Sequence, residues 1–437
     1  MLFGKKKEKE IADLVKDGSL DQRYWAIVKR QFKKNRIAVW SLRILYILLF
    51  IGITSDFLAN EKPIYCKIDG HSYFPIVHQY LVDLGWAGWD AVFINNDWSD
   101  HVYESVVYPL IPYSASTIDL NNQYRSPFGP QEVHSMRYWH WLGTDVLGRD
   151  VTAGMIRGTR IALLVGVVSM SIASVIGIFL GAIAGYFGDD RLKTSWLRVI
   201  LNILGLILAI FYGFISRSFQ LSESGHFGRE FLKSLLIVIL IMASVNFIGN
   251  VLKRVFSLKS NLKIAADIIV MRLIEIMNSI PTLIFLLAVL AIIEGSSIIN
   301  IMVIIGFLTW TGIARFIRAE LLRVRQLDYI DAAQSLGFGE LRILLRHAIP
   351  NSLTPVLITI AFGIASSILI EAFLSFLAIS GVSPSDVTWG SMLNSSRQII
   401  KAWWLAILPG SAIFITVSIF NLIGEGLSDA LNPKLKQ

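Results

Sequence analysis

Several nearly unbroken apolar runs divide this chain, and they constrain its fold more than any other feature of the sequence. A helix needs about 20 predominantly apolar residues to cross the hydrocarbon of a bilayer, and several of the runs approach or exceed that length. Only 16% of the residues are charged and 54% are hydrophobic, whereas a soluble domain carries about 25% charged residues. We therefore expect an all-α polytopic membrane protein.

The net charge of +8 does not indicate nucleic-acid binding, because lysine and arginine concentrate at the ends of the apolar runs and in short loops. That distribution follows the positive-inside rule. Residues 1–36 are basic, and residues 24–32 have the pattern of an amphipathic helix on the membrane surface. We expect this end to be cytoplasmic. It shows no cleavable signal-peptide pattern, so residues 37–59 are expected to remain as the first transmembrane helix.

Residues 60–157 form a segment of different composition, which we expect on the extracytoplasmic side. It is rich in aromatic residues and holds five of the seven histidines. It is long for a loop, so it is expected to be partly folded. His71 with His78, or His134 with His140, are conceivable metal ligands, but no ligand spacing supports a metal site and surface histidines are the favoured interpretation. A single cysteine excludes an intramolecular disulfide.

The end of this segment contains two glycines, Gly143 and Gly148, with the spacing of a phosphate loop. A phosphate loop continues with Lys and Ser or Thr, which hold phosphate and magnesium. Arg149 and Asp150 occupy those positions here, and an aspartate repels phosphate. The sequence therefore excludes nucleotide binding at this turn and favours a structural role with an internal salt bridge.

A second transmembrane helix is expected within residues 158–188, where Gly177, Gly181 and Gly185 recur every four residues. Such a stripe of small residues favours close contact with another helix. Residues 189–266 contain two more apolar runs separated by polar residues, from which we expect an inserted transmembrane hairpin. Two helices lying on the membrane surface are the alternative. An even number of added spans preserves the topology of the residues that follow.

The remaining region, residues 267–437, contains four further apolar runs with few charged residues inside them. Arg272 and Glu275 are one helical turn apart and can pair, and Pro281 can kink the span. The pair is a candidate for substrate contact in a pore, although packing near the cytoplasmic entrance is favoured. Glu371 lies well inside a later run, and an ionisable residue there is by default a functional candidate.

A polar loop, residues 318–352, separates two of these runs and cannot face lipid. The residues before Gly337 are mostly good helix formers, and Gly337 can adopt the left-handed conformation that ends a helix. A second helix follows and is expected to end near Pro350. Ala332 and Ala333 would allow close approach by another protein. The polar loop is therefore expected to form a helix, a bend and a second helix at the membrane surface.

These motifs, in this order, resemble one family: the permease subunits of dipeptide- and oligopeptide-type ABC importers, specifically the second-permease "C" subfamily of binding-protein-dependent transport inner-membrane components. The matching stretches are residues 142–150 ("LGTDxLGRD"), 271–281 ("MRxxDxxxxxP"), 329–351 (the "EAA" loop), 371–377 ("EAxLSFL") and 425–433. Asp331 stands where the family commonly has Glu. Most of residues 60–137 and the insertion at 189–266 depart from the family pattern.

The resemblance implies a type I ABC importer permease core of six transmembrane helices, so that the inserted hairpin brings the total to about eight, with both termini cytoplasmic. It implies a non-catalytic subunit of a bacterial inner membrane. Its partners would be a second homologous permease, two ATPase subunits that bind ATP and magnesium, and an extracytoplasmic substrate-binding protein. No cofactor is expected in this chain.

The resemblance also assigns roles to individual residues. ATPase coupling is expected at Tyr329, Asp331, Ala332, Ala333, Ser335, Leu336, Gly337, His347, Pro350 and Asn351. Candidates for pore or subunit contact are Arg272, Glu275, Pro281 and Glu371, the last equally a structural contact with the partner permease. No catalytic or metal-binding residue is expected.

The favoured substrate is a di- or oligopeptide, and another small solute such as a metal chelate is the alternative. A self-powered secondary transporter would need ionisable relays at mid-membrane, for which Glu275 and Glu371 are sparse support. A membrane-embedded enzyme is disfavoured because the apolar runs contain no histidine or cysteine.

Overall fold

The computed structural model describes residues 19–90, 93, 98, 101–133, 135–223, 227–255, 262–292, 297–378, 386–399 and 401–431. The predicted features at residues 1–18, His134 and residues 432–433 lie outside the described residues. The helices are α1 (Ser19–Lys34), α2 (Arg36–Ile53), α3 (Ser55–Leu58), α4 (Pro75–Asp83), α5 (Val151–Ala182), α6 (Trp196–Ile210), α7 (Ser218–Glu223), α8 (Phe227–Val255), α9 (Ala266–Ser279), α10 (Thr282–Ile292), α11 (Ile298–Val324), α12 (Asp328–Ser335), α13 (Glu340–Ile343), α14 (Ile349–Ser352), α15 (Thr354–Phe376), α16 (Trp389–Ser396) and α17 (Trp404–Leu431). The strands are β1 (Tyr65–Ile68), β2 (His71–Tyr73), β3 (Ser105–Val107), β4 (Lys193–Thr194) and β5 (Leu262–Lys263).

Among the described residues, seven helical segments are long and apolar enough to cross a membrane. They are Arg36–Ile53, Val151–Phe187, Trp196–Ile215, Leu232–Leu252, Ile298–Val324, Thr354–Phe376 and Trp404–Leu431. The pair α9 and α10 passes the same test together but is bent by 81° at its junction. Counting the bent pair as one span gives eight, which agrees with the predicted permease core plus hairpin. The cytoplasmic location of the termini stays a prediction.

Helices α5 and α11 pack closely against each other, and the glycine stripe is the reason. A Cβ built on Gly181 would lie 2.5 Å from the carbonyl oxygen of Ala314, and one on Gly185 would lie 2.7 Å from that of Arg318. Larger side chains would force the two helices apart, which explains the spacing of four residues.

Helix α5 begins earlier than expected, at Val151 rather than near residue 158. The Oδ1 atom of Asp150 accepts a hydrogen bond of 2.7 Å from the backbone N–H of Ala153. This side-chain cap satisfies one of the unpaired donors at a helix start. The first turns of α5 are therefore built from residues that we had assigned to the extracytoplasmic segment.

The segment after α3 is partly folded, as predicted. Strand β1 pairs antiparallel with β2 and with β3, so that Cys66 lies opposite both Tyr73 and Val106. Aromatic side chains, among them Phe93 and Trp98, which stack with centroids 4.8 Å apart, pack over this small sheet. Because Cys66 is buried beneath them, its thiol has a pKa raised to about 11 and is unreactive.

The inserted region forms two antiparallel helices, α6 and α8. Gly205 and Gly213 of the first helical run face the second. A Cβ on Gly205 would lie 2.8 Å from Val245, and a Cβ on Gly213 would lie 2.6 Å from Val238. Strands β4 and β5 pair at the base of the hairpin. Each helix has the length and composition of a membrane span, and this architecture favours the inserted hairpin over a pair of surface helices.

Candidate functional site

The polar loop begins inside α11, which continues to Val324, and then turns into α12. Gly337 ends α12 in the left-handed conformation, with φ of +78°. Its N–H donates to the carbonyl of Gln334 at 2.9 Å, and the N–H of Phe338 donates to the carbonyl of Ala333 at 3.2 Å. These two bonds constitute a Schellman motif, and they close the bend that the sequence predicted.

The second helical run ends at Ser352, close to the predicted position, but it passes through Pro350 rather than stopping there. A π-helical turn, Leu344–Ala348, follows α13 and leads directly into α14. The N–H of Ile349 donates to the carbonyl of Leu344, five residues earlier. Pro350 therefore falls at the start of a new α-helical segment, where its missing N–H costs little. The polar loop is thus nearly continuous with the membrane span α15, which begins at Thr354.

The polar loop has one face buried in the chain and one face open. Ile330, Ile343 and Ala348 are buried in the same apolar cluster as the ends of α5 and α11. The open face carries large apolar side chains, with Leu336 75% exposed and Leu341 63% exposed. Exposed apolar side chains in such a group mark a surface for protein contact.

The structure places the predicted coupling residues on both faces. Tyr329, Asp331, Ala332, Ser335, Leu336, Gly337, Pro350 and Asn351 are exposed, His347 is half-buried and Ala333 is buried. The expectation that both alanines present a small surface to another protein is therefore wrong for Ala333, which is 8% exposed and packs inside the chain. The helical period turns the two adjacent side chains to different sides.

Hydrogen bonds connect the start of the polar loop with its end. The Nδ2 atom of Asn351 donates to the hydroxyl of Tyr329 at 3.1 Å and to the carbonyl of His347 at 2.9 Å. Tyr329, 22 positions before Asn351, therefore meets the end of the loop at one point. The loop is held as one compact unit.

Further contacts attach the loop to the membrane helices, and sequence reasoning missed them. The hydroxyl of Tyr186, at the end of the second span, donates to Oε2 of Glu340 at 2.6 Å. Arg191 lies 3.6 Å from the same carboxylate. Nearby, Arg318 forms a two-pronged salt bridge with Asp267, whose Nη2–Oδ2 distance is 2.6 Å. Nothing local in the sequence identifies these pairs because their partners are far apart along the chain.

Arg272 and Glu275 pair as expected, with Nη1 of the arginine 2.6 Å from Oε2 of the glutamate. Their side chains are 73% and 56% exposed, so neither packs inside this chain. Pro281 follows them at the 81° bend, which is a break rather than a kink. Ile280 is extended there, as the residue before a proline prefers.

Glu371 is 1% exposed, so it does not offer its carboxylate to a partner permease. The hydroxyl of Ser375 donates to its Oε1 atom at 2.7 Å. The short helix α16 covers it so closely that a Cβ on Gly390 would overlap the carbonyl oxygen of Ala372. The predicted subunit contact at Glu371 is therefore replaced by a contact within the chain.

The glycine turn before α5 is structural, as predicted. Arg149 and Asp145 form a salt bridge of 2.7 Å inside it. The indole N–H of Trp404 donates a 3.0 Å hydrogen bond to the backbone carbonyl oxygen of Thr144, which connects the turn to the last span. His140 is buried, with Nδ1 2.8 Å from Oδ2 of Asp150, so it is not one of the surface histidines that we expected. Among the described residues no cluster is suited to a metal ion.

A second ionic group, centred on Asp56, lies just outside the first span. Arg157 and Arg160 of α5 pair with its carboxylate, and the hydroxyl of Tyr80 donates to it. Burial alone would raise the pKa of the Asp56 carboxyl, but the hydrogen bond from Tyr80 and the two arginine charges outweigh it and lower that pKa. Burial and the neighbouring carboxylate raise the pKa of Tyr80. The group joins the segment that follows α2 to α5.

Two family models match the chain. Residues 257–437 match the binding-protein-dependent transport system inner membrane component. Residues 23–73 match the N-terminal TM domain of oligopeptide transport permease C. The first match contains the whole polar loop and the Arg272–Glu275 pair.

Curated relatives cover most of the chain. A glutathione transport system permease protein of Pectobacterium atrosepticum is 31% identical over 328 residues, which are 75% of this chain and 81% of the relative. A putative peptide permease protein of Brucella suis is 30% identical, with 76% and 83% covered. A peptidoglycan transport system permease protein of Agrobacterium fabrum is 26% identical over 428 residues, with 93% and 92% covered.

Proposed function

Since the chain belongs to the binding-protein-dependent transport system inner-membrane components and is a peptide-type ABC importer permease of a bacterial inner membrane, we propose that it forms half of an ATP-driven pore for di- and oligopeptides. A second homologous permease completes the pore. Two ATPase subunits, which carry ATP and magnesium, bind the polar loop. A substrate-binding protein delivers peptide from outside.

The construction of the polar loop is the observation that carries this proposal. Its open face presents exposed Leu336 and Leu341 next to the Schellman bend, and its other face is packed into the chain. A surface that is apolar, exposed and rigidly supported is suited to receive force from another protein. Flexible loops would absorb that force instead of transmitting it.

Two routes connect this surface to the pore. The π-turn leads through α14 into α15 with almost no break. The hydrogen bond from Tyr186 to Glu340 leads to the end of the second span. Closure of an ATPase dimer beneath the loop would therefore move α5 and α15 together, which changes the access of the pore from one side of the membrane to the other.

The names of the relatives support a peptide or a peptide-like substrate. They include permeases for glutathione, for di- and tripeptides and for peptidoglycan. We assign di- and oligopeptides to this chain, with selection made mainly by the binding protein. The folded segment at residues 60–157 provides an extracytoplasmic surface where that protein can dock.

Gentle purification of the tagged chain from its native membrane tests the proposal. Mass spectrometry should find one further permease and ATPase subunits in stoichiometric amounts. Ala332→Asp, on the open face, should release the ATPase subunits while the second permease stays bound. A lone chain that transports substrate, with uptake abolished by an ionophore and indifferent to ATP, would refute the proposal and favour a secondary transporter.

A further inference from the structure

Two contacts fix the depth of α9 relative to the long span α11. Asp267 pairs with Arg318 near the end of α11 that leads to the polar loop, and Asn278 accepts a 3.1 Å hydrogen bond from the hydroxyl of Thr311. At 1.5 Å per residue, α9 covers about 16 Å between these contacts while α11 covers about 10 Å. Thr311 lies at the middle of α11. Helix α9 therefore climbs obliquely from the polar-loop side into the membrane-spanning part of the chain.

One face of α9 is packed and the other is open. Val270 and Ile274 are buried in the cluster beneath the polar loop. The open face carries a stripe of polar residues at intervals of three or four positions. These residues are Arg272, Glu275, Asn278 and Ser279, all of them exposed. The stripe runs from the polar-loop side up to the bend at Pro281.

Lipid is an unsuitable neighbour for this stripe. Within the described part of the chain, Arg272 makes one hydrogen bond, to Glu275, although a guanidinium has five N–H donors. Open donors and charges are costly in hydrocarbon. The backbone break at Ile280 and Pro281 adds a second argument, because broken backbone at membrane depth is tolerated only when it is buried in protein or lines a water-filled cavity. Pro281 is exposed in this chain.

We propose that the stripe of Arg272, Glu275, Asn278 and Ser279 lines a water-filled part of the translocation path, between the bend at Pro281 and the polar loop. There the ion pair meets the charged ends of a zwitterionic peptide: the guanidinium binds its carboxylate and the Glu275 carboxylate binds its ammonium. The inference rests on the proposed function in one respect, since the opposite wall of the path belongs to the second permease.

Cysteine labelling tests the accessibility of the stripe in the assembled transporter. The native Cys66 is buried and provides a silent background. Glu275→Cys and Ser279→Cys are placed on the stripe, and Leu240→Cys, an exposed apolar position on the hairpin helix α8, is the matched control. Each full-length variant is made in native membrane vesicles with its partners, opened so that a charged, membrane-impermeant thiol reagent reaches both faces.

The two stripe cysteines should react at least about tenfold faster than the control. Hydrocarbon raises the pKa of a thiol, and each unit of increase lowers the fraction of reactive thiolate about tenfold. An added dipeptide substrate should slow the labelling of Ser279→Cys, which keeps both Arg272 and Glu275. The inference would be overturned if the stripe cysteines reacted as slowly as residue 240 in the assembled transporter but fast when the chain is expressed alone. That result would mean that the partner covers the stripe.

Charge substitution tests the substrate contact separately. Arg272→Gln should slow uptake of a free dipeptide several-fold more than uptake of the same dipeptide with an amidated carboxyl terminus. Arg272→Lys keeps the positive charge and should restore uptake of the free dipeptide. An equal loss for both substrates would overturn the contact. If labelling is fast but uptake is independent of ATP, the proposed function fails while the water-lined stripe stands, so the two failures are distinguishable.

Discussion

Gly337 offers the sharpest test of the polar loop, because its backbone conformation can be perturbed without a steric clash. Its φ is +78°, and a Cβ at this position would meet no atom of the described residues within 4 Å. Gly339, two residues later, has equally open surroundings but an ordinary extended backbone, with φ of −65° and ψ of 143°. Gly337→Val therefore strains a left-handed backbone, whereas Gly339→Val does not.

The cost of Gly337→Val follows from that difference. A left-handed conformation costs an L-residue roughly 1–2 kcal/mol, and more when the side chain is β-branched. This strain opposes the two hydrogen bonds that close the bend, from Gly337 to Gln334 and from Phe338 to Ala333. A penalty of about 1–2 kcal/mol lowers the ratio of closed to open bend by a factor of roughly 5–30. The spans have their own packing, so the protein should still insert.

Uptake and hydrogen exchange measure the effect. Gly337→Val should lose most peptide uptake at an unchanged protein level, and exchange at the Phe338 amide should accelerate by a comparable factor. Gly339→Val should leave both unchanged. Equal uptake and equal exchange in the two variants, at wild-type protein level, would refute the reasoning that the left-handed bend holds the coupling surface.

The remaining predictions concern three other parts of the chain. Ala332→Asp should abolish uptake and change the free energy of unfolding by no more than about 0.5 kcal/mol. Ala333→Asp buries an unpaired charge and should therefore lower the amount of folded protein. Equal protein levels for the two variants would contradict the assignment of the two alanines to different faces. Gly181→Leu should prevent folding, because its side chain would displace α11 at the carbonyl of Ala314, and an intact, monodisperse variant on gel filtration would argue against that packing. Since the Asp56 pKa is lowered by folding, the stability it contributes is present above its ordinary value of 3.8 and lost as pH falls below it. Asp56→Asn should therefore lower the melting temperature at pH 7, and the difference from wild type should narrow only in strong acid.

Features that depend on local chemistry could be predicted from the sequence. The apolar runs specify the spans because only a long apolar helix satisfies the bilayer. The glycine spacing at Gly177, Gly181 and Gly185 predicts close helix contact, and Gly337 predicts the left-handed helix end, because each needs only a missing side chain at one place. The family motifs identified the peptide-type permease for the same reason, since each motif is a short contiguous string.

The side of each helix that is covered depends on the packing of distant segments and could not be predicted locally. Neighbouring alanines at 332 and 333 are alike in sequence, yet packing against the ends of α5 and α11 buries one and leaves the other open. Glu371 is enclosed because α16 folds back over it, and Tyr186 finds Glu340 across 154 positions of chain. Pro350 continues a helix because the preceding π-turn changes the hydrogen-bond register. Such contacts arise from the summed packing of distant segments, which no local pattern encodes.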